Sequence, residues 1–190
     1  MVRYFLDTEF IENGSTIDLI SIGIVCEDGR EYYAINYDCD RTKADNWVKK
    51  NVLAFLPPEP YPQLFRDRKA FEESEVYKQG WRNRAHIATE ILEFVRWNKK
   101  KPYFVEGEKP EFWGYYVSYD WVVFCQLWGK MIDLPKGFPM YINDIKQLCN
   151  QLGDPELPEQ GKEEHHALND ARWNKRAWQF LKDREGFGRK

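Results

Sequence analysis

Three strand-like segments separated by tight turns occupy the first 37 residues, and they restrict the fold more than any other feature of the sequence. The segments Val2–Phe10, Thr16–Val25 and Tyr32–Tyr37 are rich in aromatic and β-branched residues, which favour strands. The turn sequences Glu-Asn-Gly at 12–14 and Glu-Asp-Gly at 27–29 separate them. Because connections this short join antiparallel neighbours, we predict that the sheet begins as an antiparallel meander.

Helical patterns dominate the rest of the chain. Apolar residues recur with helical spacing between Arg84 and Trp97, and Phe112–Tyr119 predicts a fourth strand, with a short fifth strand starting at Tyr141. Further helices are predicted at Ala44–Leu53, Trp121–Lys130, Asp144–Leu152 and Ala167–Leu181. This order predicts an α/β fold with a mixed five-stranded sheet, antiparallel in its first three strands and flanked by helices.

Length and composition favour one folded domain. A chain of 190 residues corresponds to roughly one domain, and aromatic residues make up 16%, a share that disordered chains do not reach. Four of the ten prolines fall between positions 57 and 62, which excludes a helix or an inner strand there. We interpret 56–63 as a surface connection, so that 1–190 forms a single domain.

The charge balance excludes one class of nucleic-acid binder. The chain has 28 lysines and arginines against 31 aspartates and glutamates, a net charge of −3. A protein that binds a long polyanion through its own charge is usually basic, so this mode of binding is disfavoured. A nuclease whose divalent cations meet the phosphates is compatible with the balance, because the ions supply the positive charge.

The cysteines and the apolar runs indicate a cytoplasmic protein with no membrane partner. Cys26, Cys39, Cys125 and Cys149 show no Cys-x-x-Cys spacing, which favours reduced thiols in the cytoplasm. No apolar run approaches the roughly 18 residues that a membrane-spanning helix needs. Charged residues stand where a secretory signal would be apolar, so we predict no signal peptide.

Two carboxylates in the first strand suggest chemistry. Asp7 and Glu9 are two positions apart, so they project side by side on the face that also carries Phe5. Neighbouring carboxylates repel each other and raise one pKa, whereas a divalent cation would make their proximity favourable. The alternative interpretation is a pair of solvated acids at a strand end.

Two later carboxylates need an explanation as well. Asp120 stands between aromatic residues where a predicted strand gives way to a helix, and it could be either a functional acid or a helix N-cap. Asp170 shares a helical stripe with Trp173, Ala177 and Leu181, so it should face the core, where an unpaired charge is costly.

Together these residues resemble the DEDDh family of 3′-5′ exonucleases, which has the ribonuclease H-like fold. The sequence DTEF supplies Asp7 and Glu9, YVSYD supplies Asp120, and HHALND supplies His165 and Asp170. The family has four residues between its histidine and its last aspartate, which selects His165 rather than the histidine that follows it.

The resemblance is strongest to a short, single-domain subgroup, the 3′-5′ exoribonucleases first recognised in mycobacteria. The stretches DTEFIENGSTIDLISIGIVCEDGREYYAIN and YDWVVFCQLWG are similar to that subgroup almost throughout. The similarity covers most of the chain and is weakest between Leu56 and Lys109. It implies RNA as the partner molecule, nucleoside 5′-monophosphates as products, and a homodimer.

The resemblance also implies a two-metal mechanism with Mg²⁺ or Mn²⁺ held by Asp7, Glu9, Asp120 and Asp170. Asp7 would bridge both ions, Glu9 and Asp170 would hold the ion that activates water, and Asp120 would act on the second ion through waters. His165 would be the general base, since histidine is the residue type whose charge changes nearest to neutral pH.

Substrate contacts are expected from the residues that flank the first acids. Thr8 and Phe10 are predicted to touch the terminal nucleotide. Proofreading-type relatives usually have threonine where this chain has Phe10, so a hydroxyl contact is missing at that position. The basic runs at 66–69 and 99–101 could contact phosphates, but we interpret both as ordinary solvated surface.

The sequence is compatible with three alternative functions. A 3′-5′ DNA exonuclease of the proofreading type would use the same catalytic residues, so the motifs do not separate it from an RNA-degrading enzyme. A ribonuclease H-type endonuclease would be expected to carry its glutamate on a helix rather than beside Asp7 on a strand. A non-catalytic nucleic-acid-binding module would be expected to lack one or more of the acids.

Overall fold

The computed structural model describes residues 1–61, 67–95, 109–161 and 164–187, and these contain a six-stranded mixed sheet. The strands are β1 (Val2–Glu12), β2 (Ile17–Cys26), β3 (Glu31–Asn36), β4 (Trp81–Arg82), β5 (Pro110–Gly114) and β6 (Asn143–Asp144). Their order across the sheet is β4-β3-β2-β1-β5-β6. The β1–β2 and β2–β3 pairs are antiparallel, and the other three pairs are parallel, which confirms the predicted mixed sheet with its antiparallel beginning.

The sheet has one strand more than predicted. The additional strand is β4, which pairs with the end of β3 through two residue pairs, Ile35 with Trp81 and Asn36 with Arg82. A strand of two residues is too short to show the alternation that identifies strands in a sequence. The strand predicted at 112–119 is also shorter than expected, because β5 ends at Gly114.

Helices cover both faces of the sheet. They are α1 (Asn46–Asn51), α2 (Arg68–Glu72), α3 (Glu75–Lys78), α4 (Arg84–Val95), α5 (Ser118–Cys125), α6 (Ile145–Gln151) and α7 (Ala167–Phe187). Helices α4 and α5 pack against one face, around Leu6 and Phe112. Helices α6 and α7 pack against the other face, around Phe5 and Val25. The alternation of β1 side chains between two buried clusters follows from the strand period of two.

The long strand β1 lies in the middle of the sheet, but it pairs with its two neighbouring strands over different lengths. It pairs with β2 from Tyr4 to Glu12, whereas it pairs with β5 only from Val2 to Phe5. The second half of β1, which carries the acid pair, therefore borders a crevice beyond the carboxyl end of β5. Crevices of this kind are where open α/β sheets usually bind ligands.

Helix α7 begins directly on the backbone of β2. Gly23 pairs with Asp7 across the sheet, and a Cβ atom at position 23 would lie 2.3 Å from the carbonyl oxygen of Ala167. About two turns further along α7, the buried Asn174 side chain donates a hydrogen bond to the carbonyl oxygen of Leu6 at 2.9 Å. The first turns of α7 are thus fixed against the strand position that precedes Asp7.

Several predicted segments differ from the structure in extent. The helix predicted from Ala44 to Leu53 is shortened to α1, whose N-cap Asp45 accepts a hydrogen bond from the backbone of Val48. The Pro-rich segment is irregular from 57 to 61, and its remainder lies outside the described residues. Three other predicted features also lie outside them: Arg66, the end of the helix predicted up to 97, and the basic run at 99–101.

In the described residues, no helix combines the length and apolar character that crossing a membrane requires.

Candidate active site

Three carboxylates from two elements meet beside the sheet. Asp7 and Glu9 project from β1 toward α7, and Asp170 comes from the first turn of that helix. One oxygen from each of the three side chains lies within 4.8 Å of the other two. The residues that the sequence places far apart are therefore close enough to share one cation.

Asp170 is held by donors on both of its carboxylate oxygens. Gln160 Nε2 donates to Oδ1 at 2.5 Å, and the backbone N–H of His165 donates to Oδ2 at 3.0 Å. The side chain is 7% exposed, which agrees with the prediction that it faces the core. Gln160 has no signal in the sequence, because it lies in an irregular segment and its contact depends on how that segment folds back onto α7.

His165 lies in the loop immediately before α7. Its backbone has a φ of +66°, in the left-handed region that non-glycine residues rarely adopt, and this conformation lets its N–H point at Asp170. Its ring contacts the ring of Trp47 edge-on, with centroids 4.8 Å apart. The neighbouring His166 instead stacks on Tyr33 of β3. The two histidines therefore lie in different surroundings, and only His165 lines the cavity described below.

Asp120 approaches the acid pair from the helix on the opposite face of the sheet. It is the third residue of α5, and the N-cap of that helix is Val117, so the interpretation of Asp120 as an N-cap is wrong. Its Oδ1 atom accepts two hydrogen bonds from Thr8, one from the backbone N–H at 2.9 Å and one from the hydroxyl at 2.7 Å. Helix α5 begins earlier than predicted, which moves Asp120 from the strand end into the first helical turn.

One cavity of about 480 Å³ joins all of these side chains. The predicted acids and the histidine line it, together with Thr8, Phe10, Glu12, Asp45, Trp47, Val48, Tyr115, Tyr116 and Gln160. None of the described lining residues is a lysine or an arginine. The cavity therefore has strongly negative walls and, in the described part of the chain, no lysine or arginine of its own to neutralise them.

The pKa values of all four acids are raised, and burial is the largest cause for each of them. Burial, followed by the charges of Asp120, Asp170 and Glu9, raises the pKa of Asp7 well above its usual range. Burial and the charges of Asp170 and Asp120 raise the pKa of Glu9 to about 8. Burial also raises the pKa values of Asp120 and Asp170, although the hydrogen bonds from Thr8 and His165 act in the opposite direction.

The donor set fits a hard divalent cation. The three clustered ligands offer carboxylate oxygens only, which Mg²⁺ prefers and Mn²⁺ accepts, and the cluster contains no thiolate or imidazole that would favour zinc. Asp120 is outside this cluster of three but lines the same cavity. A bound cation would offset the mutual repulsion that raises the pKa values.

We expect the metal-free protein to lose stability as the pH rises from about 4.5 to about 8. In the folded state the pKa of Glu9 is raised from 4.5 to about 8, so the folded chain retains a proton that the unfolded chain releases in this range. The unfolded state then binds fewer protons, and the free energy of unfolding falls with rising pH. Asp7 acts in the same direction, since its pKa is also raised.

Urea unfolding in the presence of EDTA, at about pH 5 and about pH 8, would measure this pH dependence. In Glu9→Gln the fall in stability should be smaller than in the wild-type protein, because the variant has no carboxyl group to titrate at this position. An identical fall in both proteins would contradict the assigned pKa.

The two predicted substrate contacts lie in the same cavity but in different environments. Thr8 is 5% exposed, and its hydroxyl is engaged by Asp120. Phe10 is partly buried against the core, with its ring edge-on to Tyr119 at a centroid distance of 6.0 Å. Trp47, which the sequence analysis did not select, is 52% exposed at the cavity wall. The sequence around Trp47 predicts only the start of a helix, because Asp45 and Asn46 are residue types that favour the N-cap. It does not indicate that Trp47 lines a site.

Comparison with known proteins points to one family. The sequence model described as the 3′-5′ exoribonuclease Rv2179c-like domain matches residues 2–182. Two proteins of Mycobacterium tuberculosis, 3′-5′ exoribonuclease Rv2179c of strain H37Rv and 3′-5′ exoribonuclease MT2234.1 of strain CDC 1551, are each 39% identical to this chain over 189 residues. The aligned residues make up 99% of this chain and 98% of each relative.

Proposed function

The chain belongs to the Rv2179c-like family of 3′-5′ exoribonucleases, and we propose that it hydrolyses single-stranded or 3′-overhanging RNA from a free 3′ end with the help of Mg²⁺ or Mn²⁺. The products would be nucleoside 5′-monophosphates. The observation that carries the metal dependence is the cluster of Asp7, Glu9 and Asp170, whose carboxylate oxygens lie within 4.8 Å of one another without a basic partner among the described lining residues.

The acidic residues would hold two ions. Asp7, Glu9 and Asp170 would hold one, and Asp7 would hold the other together with Asp120, which would act through waters. Two divalent cations, when bound, stabilise both the attacking and the leaving oxygen of an in-line displacement at phosphorus. Support for this assignment comes from the shared cavity and from the raised pKa values of Asp7 and Glu9, whose causes are burial and the charges of neighbouring carboxylates.

His165 would act as the general base. It lines the acidic cavity, and its backbone is fixed to Asp170, so its ring is held next to the proposed metal ligands. The imidazole would accept a proton from the attacking water. Gln160 would hold Asp170 from the other side. Phe10, which lines the same cavity, would pack against the terminal nucleotide.

An end-labelling experiment tests this proposal. RNA labelled at its 5′ end should be shortened stepwise in Mg²⁺ or Mn²⁺, with release of nucleoside 5′-monophosphates. Degradation should stop in excess EDTA, because the acids then lack their cations. RNA with a blocked 3′ end and circular RNA should both resist, since the reaction requires a free 3′ terminus.

The same experiment separates the alternatives. Faster degradation of matched single-stranded DNA would identify a DNA exonuclease instead. Cleavage of circular RNA would indicate an endonuclease. Binding of RNA without hydrolysis in either metal would indicate a non-catalytic module, and full activity in excess EDTA would contradict the metal site.

Three broader assignments belong to the same proposal. Residues 1–190 would form one exonuclease domain. A reducing, cytoplasmic location is supported by the four cysteines, all of which are buried and unpaired. The homodimer rests on the family resemblance, and size-exclusion chromatography with light scattering would test it.

A further inference from the structure

Thr8 occupies an unusual place on β1. The residue lies beyond the end of the pairing between β1 and β5, which stops at Phe5, so in the described part of the chain no strand runs beside Thr8 on that side. A buried backbone N–H without a partner is costly, and here the partner is a side chain rather than a strand. Asp120 supplies this acceptor from α5.

Thr8 gives Asp120 two hydrogen bonds on one oxygen. The N–H and the hydroxyl of Thr8 both donate to Oδ1, at 2.9 and 2.7 Å, and both residues are more than nine-tenths buried. A single hydrogen bond restrains a carboxylate oxygen only weakly, whereas two donors from one rigid residue fix the position of Oδ1. Hydrogen bonds to a charged acceptor are also stronger than those between neutral groups.

The neighbours of Thr8 give this contact its significance. Thr8 stands between Asp7 and Glu9, so the same three residues of β1 carry two of the acids and the donors that hold a third. We propose that Thr8 is a positioning residue: its hydroxyl orients Asp120 relative to Asp7 so that these two carboxylates can hold a cation together. This inference rests on the proposed function, and it assigns the Thr8 hydroxyl to Asp120 rather than to the terminal nucleotide.

Three substitutions test the proposal. Thr8→Val keeps the shape of the side chain and removes the hydroxyl, Thr8→Ala removes the hydroxyl without adding a methyl group beside the carboxylate, and Thr8→Ser keeps the hydroxyl. Thr42→Val is a matched control, because the N–H and the hydroxyl of Thr42 also donate to one carboxylate oxygen, that of Asp40, on an exposed 3₁₀ turn outside the cavity.

The readouts separate metal binding from substrate binding and from folding. They are the Mn²⁺ concentration that gives half-maximal RNA hydrolysis, the kcat and KM for RNA, and the unfolding temperature with and without Mn²⁺. For Thr8→Val we expect about a tenfold higher half-maximal Mn²⁺ concentration, a smaller rise in unfolding temperature on adding Mn²⁺, and a KM for RNA within about twofold of the wild-type value. Thr8→Ala should behave in the same way, and Thr8→Ser and Thr42→Val should match the wild-type protein.

Several results would overturn the inference. An increased KM with an unchanged Mn²⁺ requirement in Thr8→Val and Thr8→Ala would assign Thr8 to the substrate. A lower unfolding temperature of the metal-free variants with an unchanged Mn²⁺ requirement would give Thr8 a purely structural role. If the wild-type protein itself neither hydrolyses RNA nor is stabilised by Mn²⁺, the proposed function fails; if it does both and the Thr8 variants are indistinguishable from it, only the role of Thr8 fails.

Discussion

Asp7→Asn is expected to lower kcat for RNA at least about 1,000-fold while making the metal-free protein more stable. The loss of activity follows because Asp7 is the acid assigned to both ions. The gain in stability follows because burial and three neighbouring carboxylates raise the pKa of Asp7, so its charged form is unfavourable in the folded protein. Asparagine has nearly the same shape and carries no charge.

Steady-state kinetics in Mg²⁺ and urea unfolding in EDTA at about pH 8 measure the two effects. Asp183→Asn is a suitable control, since Asp183 is an exposed residue of α7 outside the cavity, and this variant should change neither quantity. Retention of full activity in Asp7→Asn would contradict the metal assignment. A loss of metal-free stability would contradict the repulsion on which the electrostatic argument depends.

Gly23→Ala is expected to destabilise the fold by at least about 2 kcal/mol and to reduce activity at the same time. A Cβ atom there would lie 2.3 Å from the carbonyl oxygen of Ala167 and 2.4 Å from the backbone nitrogen of Leu168. These are backbone atoms, so the start of α7 must move, and Asp170 in its first turn must move with it. Because Gly23 is paired with Asp7, this displacement acts directly on the acid cluster.

Urea unfolding and RNA hydrolysis of the same preparation test this expectation. Gly161→Ala is the matched control, because among the described residues, apart from its chain neighbours, no atom would lie within 4 Å of a Cβ atom at that position. The stability of this variant should change by less than about 0.5 kcal/mol. Wild-type stability in Gly23→Ala would show that α7 can move away from β2 without cost. Wild-type activity would show that the site tolerates the movement.

Much of the fold could be predicted because the signals are local. The meander is encoded by turn sequences next to β-branched segments, and the common face of Asp7 and Glu9 follows from the strand period alone. The start of α5 could not be predicted, because it depends on Tyr116 adopting a φ of +52° in the turn after β5. This conformation is uncommon for tyrosine, and no sequence pattern indicates it.

The sequence indicated which acids and which histidine line the cavity, but not the hydrogen bonds that hold them there. The spacing to Asp170 distinguishes His165 from His166, and the structure places the two rings in different surroundings. The supports are hydrogen bonds between residues that are distant in the sequence, such as Asn174 to the Leu6 carbonyl and Thr8 to Asp120. Such partners become visible only when the topology is known, because nothing in either local segment specifies the other.

The docking of α7 on β1 and β2 has a consequence for the order in which the site forms while the chain folds. The meander is synthesised before α7, the helix that carries Asp170 and Asn174, because it precedes that helix by more than a hundred residues in the sequence. A nascent chain that has formed the meander therefore carries the Asp7–Glu9 pair without its third carboxylate. The set of ligands becomes complete only after long-range closure between the two ends of the described chain, the kind of contact that is slow to form during folding.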